Sequence, residues 1–131
     1  MADIPIGSRH SFEVLVTEDN VISFLGREDA RVLATPWLIM YLEMTSRNTV
    51  KPFLLDSEDT VGTQVNVKHL AATPVGMKAR FEAEVIALNG RRVEFRVEAW
   101  DDRDKIAEGT HERFIVDIER FARKLDAKRG A

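Results

Sequence analysis

The sequence predicts an α+β domain, with one long apolar helix packed against one antiparallel sheet. Three observations predict it. Thr35-Pro36 opens an apolar run, Trp37-Leu38-Ile39-Met40-Tyr41-Leu42, that reads as a buried helix. Beyond that run the apolar period changes to alternation in three successive segments, with a fourth strand expected after them. Asn89-Gly90, which joins two of those segments, is the strongest short hairpin signal a sequence carries. A chain of 131 residues fits one domain, spanning 1–131, and two independent cores would be crowded.

Phe12, Val14 and Val16 alternate with Glu13, Leu15 and Thr17, so Ser11 to Thr17 reads as a strand. Residues 18–30 are polar, carry Gly26, and read as a loop with a short ordered piece around Val21–Leu25. Thr35 is a good N-cap, and Pro36 suits the first helical position, where its missing N–H goes unneeded. That helix should run to about Val50 and stop before Pro52. It is apolar on more than one side, so a curled sheet would wrap it and a partner subunit would cover the rest. Val61, Thr63, Val65 and Val67 alternate with Gly62, Gln64, Asn66 and Lys68, up to a break at Ala71-Ala72-Thr73-Pro74-Val75-Gly76. Ala79, Phe81, Ala83, Val85 and Ala87 form the next apolar face, and Val93, Phe95, Val97 and Ala99 the one after the hairpin. Asp101 to Asp104 makes a turn into a last strand, Lys105 to about Asp117, and Glu119 to Lys128 reads as a short terminal helix. Strands joined mainly by tight turns form an antiparallel meander with one wet face.

Composition excludes several classes. With no cysteine there is no disulfide scaffold, no Cys-ligated metal and no thiol nucleophile. Nineteen Lys and Arg against twenty-two Asp and Glu give a net charge of −3, which argues against a nucleic-acid partner, while a local basic pocket for a phosphorylated ligand stays open. No apolar run approaches the roughly 20 residues of a membrane span, so no membrane partner is expected. Met-Ala-Asp-Ile-Pro-Ile-Gly has neither the basic start nor the apolar stretch of a signal peptide, so a cytoplasmic location is expected. There is no Gly-rich phosphate loop, no Gly-x-Ser-x-Gly elbow and no metal-ligand spacing, and neither a metal nor an organic cofactor is expected.

The candidates for chemistry are few. Glu43 sits in the middle of the apolar helix, on one face with Pro36, Ile39, Met40 and Arg47. It either pairs with Arg47 one turn on or points into a cleft, where a carboxylate needs partners. Thr35 at the helix start is a cap, or a hydroxyl beside free N–H groups that can hold a carbonyl or its oxyanion. His69 ends an alternating strand and is either a structural residue or a general base. His111, in Gly109-Thr110-His111-Glu112-Arg113, reads as a face residue, Arg113 as a solvated residue or a phosphate contact, and His10 carries no role.

These residues together resemble the fluoroacetyl-CoA thioesterase family. The resemblance rests on Ala34-Thr35-Pro36, on Glu43 eight residues beyond Thr35, and on Gly62-Thr63 leading to His69 and Ala71-Ala72-Thr73-Pro74-x-Gly76. Gly90-Arg91-Arg92 and the Gly109 to Arg113 string extend it over about residues 30 to 125. It implies a hot-dog fold, a homodimer (or a higher oligomer) with sites near the subunit interface, and hydrolysis of an acyl-CoA without metal or organic cofactor. By position it implies Thr35, Glu43 and His69 as the catalytic set, with Glu43 as base or nucleophile, and Gly62 as a backbone donor. Arg113 would be a structural or ligand contact. The stretch Ser23 to Ala30, where the family carries an aromatic lid, is shorter and mostly polar here, with Phe24 its only aromatic and thus the one lid-type substrate contact. The expected substrate is therefore a small acyl-CoA other than fluoroacetyl-CoA. Two rival readings use the same fold: a non-catalytic acyl-CoA binding or sensing protein, and a hydratase acting on the β-carbon.

Overall fold

The computed structural model describes residues 3–130; Met1, Ala2 and Ala131, and with them the first two positions of the leader reading, lie outside it. The order is β1 (Arg9–Leu15), α1 (Thr35–Val50), β2 (Glu58–His69), β3 (Lys78–Asn89), β4 (Arg92–Trp100), β5 (Lys105–Asp117) and α2 (Ile118–Lys128). All five strands form one antiparallel sheet in the order β1-β3-β4-β5-β2. The sheet's inner face wraps α1, as the resemblance implied, and β2 is left as an edge strand.

The core lies where α1 meets β3 and β4. Leu38 and Leu42 of the helix pack with Phe81, Val85, Phe95 and Val97 of the sheet, all essentially removed from water. Each such side chain contributes roughly 1.5–3 kcal/mol of burial. The second half of α1 buries hydroxyls instead. Thr45, Ser46 and Thr49 each donate to the carbonyl one turn back at 2.7–2.8 Å, which satisfies them without a partner from the sheet.

The helix is not covered all round. Trp37, Met40 and Met44 are exposed along one face, and so are residues 62–66 of β2 beside it. The 18–30 stretch is anchored at buried Asn20, whose side-chain amide donates to the Leu15 carbonyl and the Tyr41 hydroxyl. Beyond Asn20 it is held by a backbone bond from the Ile22 N–H to the Val32 carbonyl and by one turn of 3-10 helix at Glu28–Ala30. The ordered piece expected around Val21–Leu25 is reduced to the single bridge from Val21 to Leu33.

Two bulges shift the expected faces. In β2 the pairing with β5 slips between Gly62 and Gln64, so Val61 faces outward opposite Phe114 while Val65, Val67 and His69 face inward. An unbroken strand would put Gly62 and His69, seven residues apart, on opposite faces. The bulge at Thr63 puts both on the inner one. In β3 the slip between Val85 and Ala87 makes Leu88, not Ala87, the next inward residue, opposite Val93.

Candidate active site

Thr35 is the first residue of α1, and Ala34 occupies the cap position. The Thr35 hydroxyl caps nothing: its Oγ1 lies 2.8 Å from Nδ1 of His69. The N-cap expectation fails because this hydroxyl has a side-chain partner at the end of β2. Burial holds the His69 imidazole below its ordinary value, opposed by an interaction with the Ala71 backbone. His69 is therefore neutral near pH 7 and able to take a proton. Its Nε2 is buried and has no hydrogen-bond partner among the described residues.

Glu43 is one-third exposed on the uncovered face of α1. It does not pair with Arg47, which instead forks onto Asp59 at 2.7 and 3.0 Å. Glu43 Oε2 accepts from Arg113 Nη1 at 2.9 Å. Arg113 is nearly buried, and its charge lies against Glu43 and not in solvent. Its Nε donates to the Thr60 hydroxyl at 2.7 Å and its Nη2 to the Thr60 carbonyl at 2.9 Å. Gly62 lies directly below Glu43: a Cβ built there would stand 2.6 Å from Oε2. Met40, Glu43, Met44, Arg47, Asn48 and Arg113 line an open cleft of about 300 Å³ over this carboxylate.

His111 is not a face residue. It is buried at 3% exposure on β5, stacked on Phe95, with Nδ1 2.8 Å from the Gln64 carbonyl and Nε2 3.2 Å from Arg113 Nη1. The signal for it was available, since His111 and Arg113 are two apart on one strand and must share a face. The slip in β2 that puts Gly62 and Val65 on that same face could not be read from residue types.

The candidates thus fall into two clusters. Thr35 and His69 meet at the N-terminal end of α1, and Glu43, Gly62, His111 and Arg113 meet farther along it. Eight residues of helix separate Thr35 from Glu43, about 12 Å along the axis. Within one chain Glu43 and His69 form no acid–base pair. Phe24 belongs to neither cluster; it is 81% exposed on the loop before α1. Among the described residues no three His, Cys, Asp or Glu side chains gather as metal ligands, and no helix is long and apolar enough to cross a membrane.

Comparison with known proteins agrees with this architecture. The family model described as fluoroacetyl-CoA-specific thioesterase matches residues 16–119. The fluoroacetyl-CoA thioesterase of Streptantibioticus cattleyicolor is 32% identical, over 96% of this chain and 95% of its own. A solved structure of the fluoroacetyl-CoA thioesterase superposes with a TM-score of 0.87 at 31% identity, covering 96% of this chain and 98% of that one. A thioesterase superfamily member from Thermus thermophilus gives 0.86 at 33% identity, over 99% and 98%. A hot-dog-like protein from Thermanaerovibrio acidaminovorans, 19% identical, shares the fold at 0.87 over 98% and 95%. The match over most of the chain, with the sheet wrapped round α1, places this protein in the fluoroacetyl-CoA-specific thioesterase family.

Proposed function

We propose that this protein hydrolyses a small acyl-CoA thioester at a site shared between two copies of the chain. One observation carries this reading: the candidate residues form two separate half-sites, Thr35–His69 at the start of α1 and Glu43–Gly62 about 12 Å farther along it. An isologous two-fold relates such halves. Antiparallel pairing of the free β2 edges, centred midway between Gly62 and His69, sets Gly62 against His69 of the partner subunit. Antiparallel helices crossing at Ile39, midway between Thr35 and Glu43, set Glu43 against Thr35 of the partner subunit. Exposed Met40, Met44 and Trp37 supply the apolar contact.

In that composite site the thioester carbonyl lies between the halves. The Gly62 N–H and the first N–H groups of α1 polarise it and hold the charge that develops on its oxygen. Glu43 takes a proton from water, the water oxygen bonds to the acyl carbon, and the carbon–sulfur bond breaks. Glu43 passes that proton to the neutral His69 of the other half-site, which delivers it to the departing sulfur, so the products are a carboxylic acid and the CoA thiol. If Glu43 attacks directly instead, a single turnover in ¹⁸O-water leaves label in the Glu43 carboxylate. Phe24, the one aromatic residue of the 23–30 loop before the helix, would reach the acyl group only if that loop folds over it, and a short polar lid favours an acyl group other than fluoroacetyl. CoA thioesters in the cell's aqueous interior are the substrate this chemistry fits.

Thiol release from a panel of short, branched, aromatic and fluorinated acyl-CoAs tests the reading, with Glu43→Gln as control. Release that falls by roughly 10²–10⁴-fold in the variant supports it. Saturable binding without release points to an acyl-CoA sensor, and hydration of an enoyl-CoA to a hydratase.

A further inference from the structure

His111 is buried, titratable and unused by the mechanism above, yet both of its nitrogens have chemically committed partners. The Gln64 carbonyl can only accept, so Nδ1, 2.8 Å away, carries the proton. The Arg113 guanidinium can only donate, so Nε2, 3.2 Å away, is bare. The neutral Nδ1–H tautomer is the one form that satisfies both. Arg113 Nη1 has two hydrogens, and the same nitrogen gives the other to Glu43 Oε2 at 2.9 Å. His111 Cε1 also lies 3.3 Å from where a Cβ of Gly62 would stand, so the ring forms the floor under both residues of this half-site.

We propose that His111 is a positioning residue: as the neutral Nδ1–H tautomer it fixes the Arg113 guanidinium that presents Glu43, and protonating it disarms the site. This rests on the reading of Glu43 given above. A proton on Nε2 would aim one donor at another and put two cations side by side in a place water scarcely reaches. The charged groups facing the ring are Arg113 from β5 and Glu43 from α1, while Glu112 acts from the opposite face of β5, where it meets Thr63 and Arg92; β4 contributes the apolar ring of Phe95 and β2 the Gln64 carbonyl. Burial, the largest influence, keeps the ring neutral, with the Gln64 bond opposing it and Arg113 reinforcing it.

Two substitutions and one spectrum test this. His111→Leu removes both bonds, and misplacement of Glu43 should lower kcat by about 10–100-fold with KM within a few-fold. His111→Gln keeps an acceptor for Arg113 but no titrating proton. It should recover most of that loss and move the acid limb of kcat to lower pH. Equal losses in two folded variants, with an acid limb left in place, overturn the proposal. If His111→Leu does not fold, the spectrum decides. The chain has three histidines, so long-range ¹H–¹⁵N correlations of the wild-type imidazoles resolve each ring. A neutral Nδ1–H form of His111 at pH 7 is expected; an Nε2–H form, or a charged ring, overturns the proposal whether or not thiol is released. Absence of thiol release with the Nδ1–H form intact overturns the thioesterase reading alone.

Discussion

Glu43 Oε2 occupies the space that a side chain on Gly62 would need: a Cβ at position 62 would stand 2.6 Å from it. Gly62 has no left-handed backbone to explain it, since the positive-φ glycines are elsewhere. Its lack of a Cβ makes room for Oε2 beside Arg113. Gly62→Ala should therefore fold, because Oε2 is the end of a flexible side chain that can swing away. The carboxylate would leave Arg113, and turnover should fall by about 10–100-fold, as a displacement of that size costs. Steady-state kinetics with a melting curve checks this, and an active Gly62→Ala enzyme would show that Glu43 need not hold that place.

Arg113 anchors this half-site mechanically as well as electrostatically. Replacing it with Met strands the buried Thr60 carbonyl and hydroxyl, which it now holds at 2.9 and 2.7 Å. Leaving buried polar groups unpaired should destabilise the fold by about 3 kcal/mol. Little of that comes from the ion pair itself, because Glu43 is partly exposed and its charge is screened. Urea unfolding of Arg113→Met and Glu43→Gln separates the contributions: the first should lower the midpoint strongly, the second slightly. A loss under about 1 kcal/mol in Arg113→Met would contradict the structural role.

Stability should depend on pH through two histidines. His69 and His111 are both held below their ordinary value by burial. The unfolded chain then binds more protons than the folded one in the window just below about 6.5, so stability rises with pH there. Their contribution is present above the unfolded value and is lost as pH falls through the folded ones. Asp59, held down by its bond to Arg47, and Asp101, held down by the Arg103 and Asp104 backbone against the opposing effect of burial, act below about pH 4, in a separate window. Urea midpoints should fall between about pH 7 and 5, and less so in His111→Gln. A flat midpoint across that range would mean that neither ring is buried neutral.

The order of elements was legible because alternation, the Asn89-Gly90 turn and the Thr35-Pro36 start are local signals, but the four-strand meander was not: β2 leaves its neighbour in sequence and pairs with β5 at the far edge, and the first strand runs over Arg9–Leu15 instead of Ser11 to Thr17. What failed was set by tertiary pairing. Ala87 lost its inward place to Leu88 through a bulge that no residue type announces. Arg47 had an ideal helical partner in Glu43, but the sheet offered it Asp59 in a two-pronged bond. Glu43 went to Arg113, seventy residues away in sequence. The burial of His111 has the same tertiary origin, a strand on either side of β5, although its shared face with Arg113 was readable from their spacing.

The division of the site between two copies makes a prediction that no single-chain site shares. Glu43→Gln and His69→Ala should each be nearly inactive as homodimers, since every composite site lacks one group. Mixed under conditions that exchange subunits, half the dimers become heterodimers. In these, one site carries both substitutions, and the other joins the intact His69 of one chain to the intact Glu43 of its partner. Equal mixing should therefore restore about a quarter of wild-type turnover. Exchange can be followed with differently tagged chains, so that recovery is plotted against heterodimer content. The uncovered face supplies the control: Met44→Glu puts a charge among Met40, Met44 and Trp37 and should shift the protein toward monomer and abolish recovery. A mixture that exchanges fully yet regains nothing would place the whole catalytic set within one chain, against the 12 Å or so of helix that separates Thr35 from Glu43.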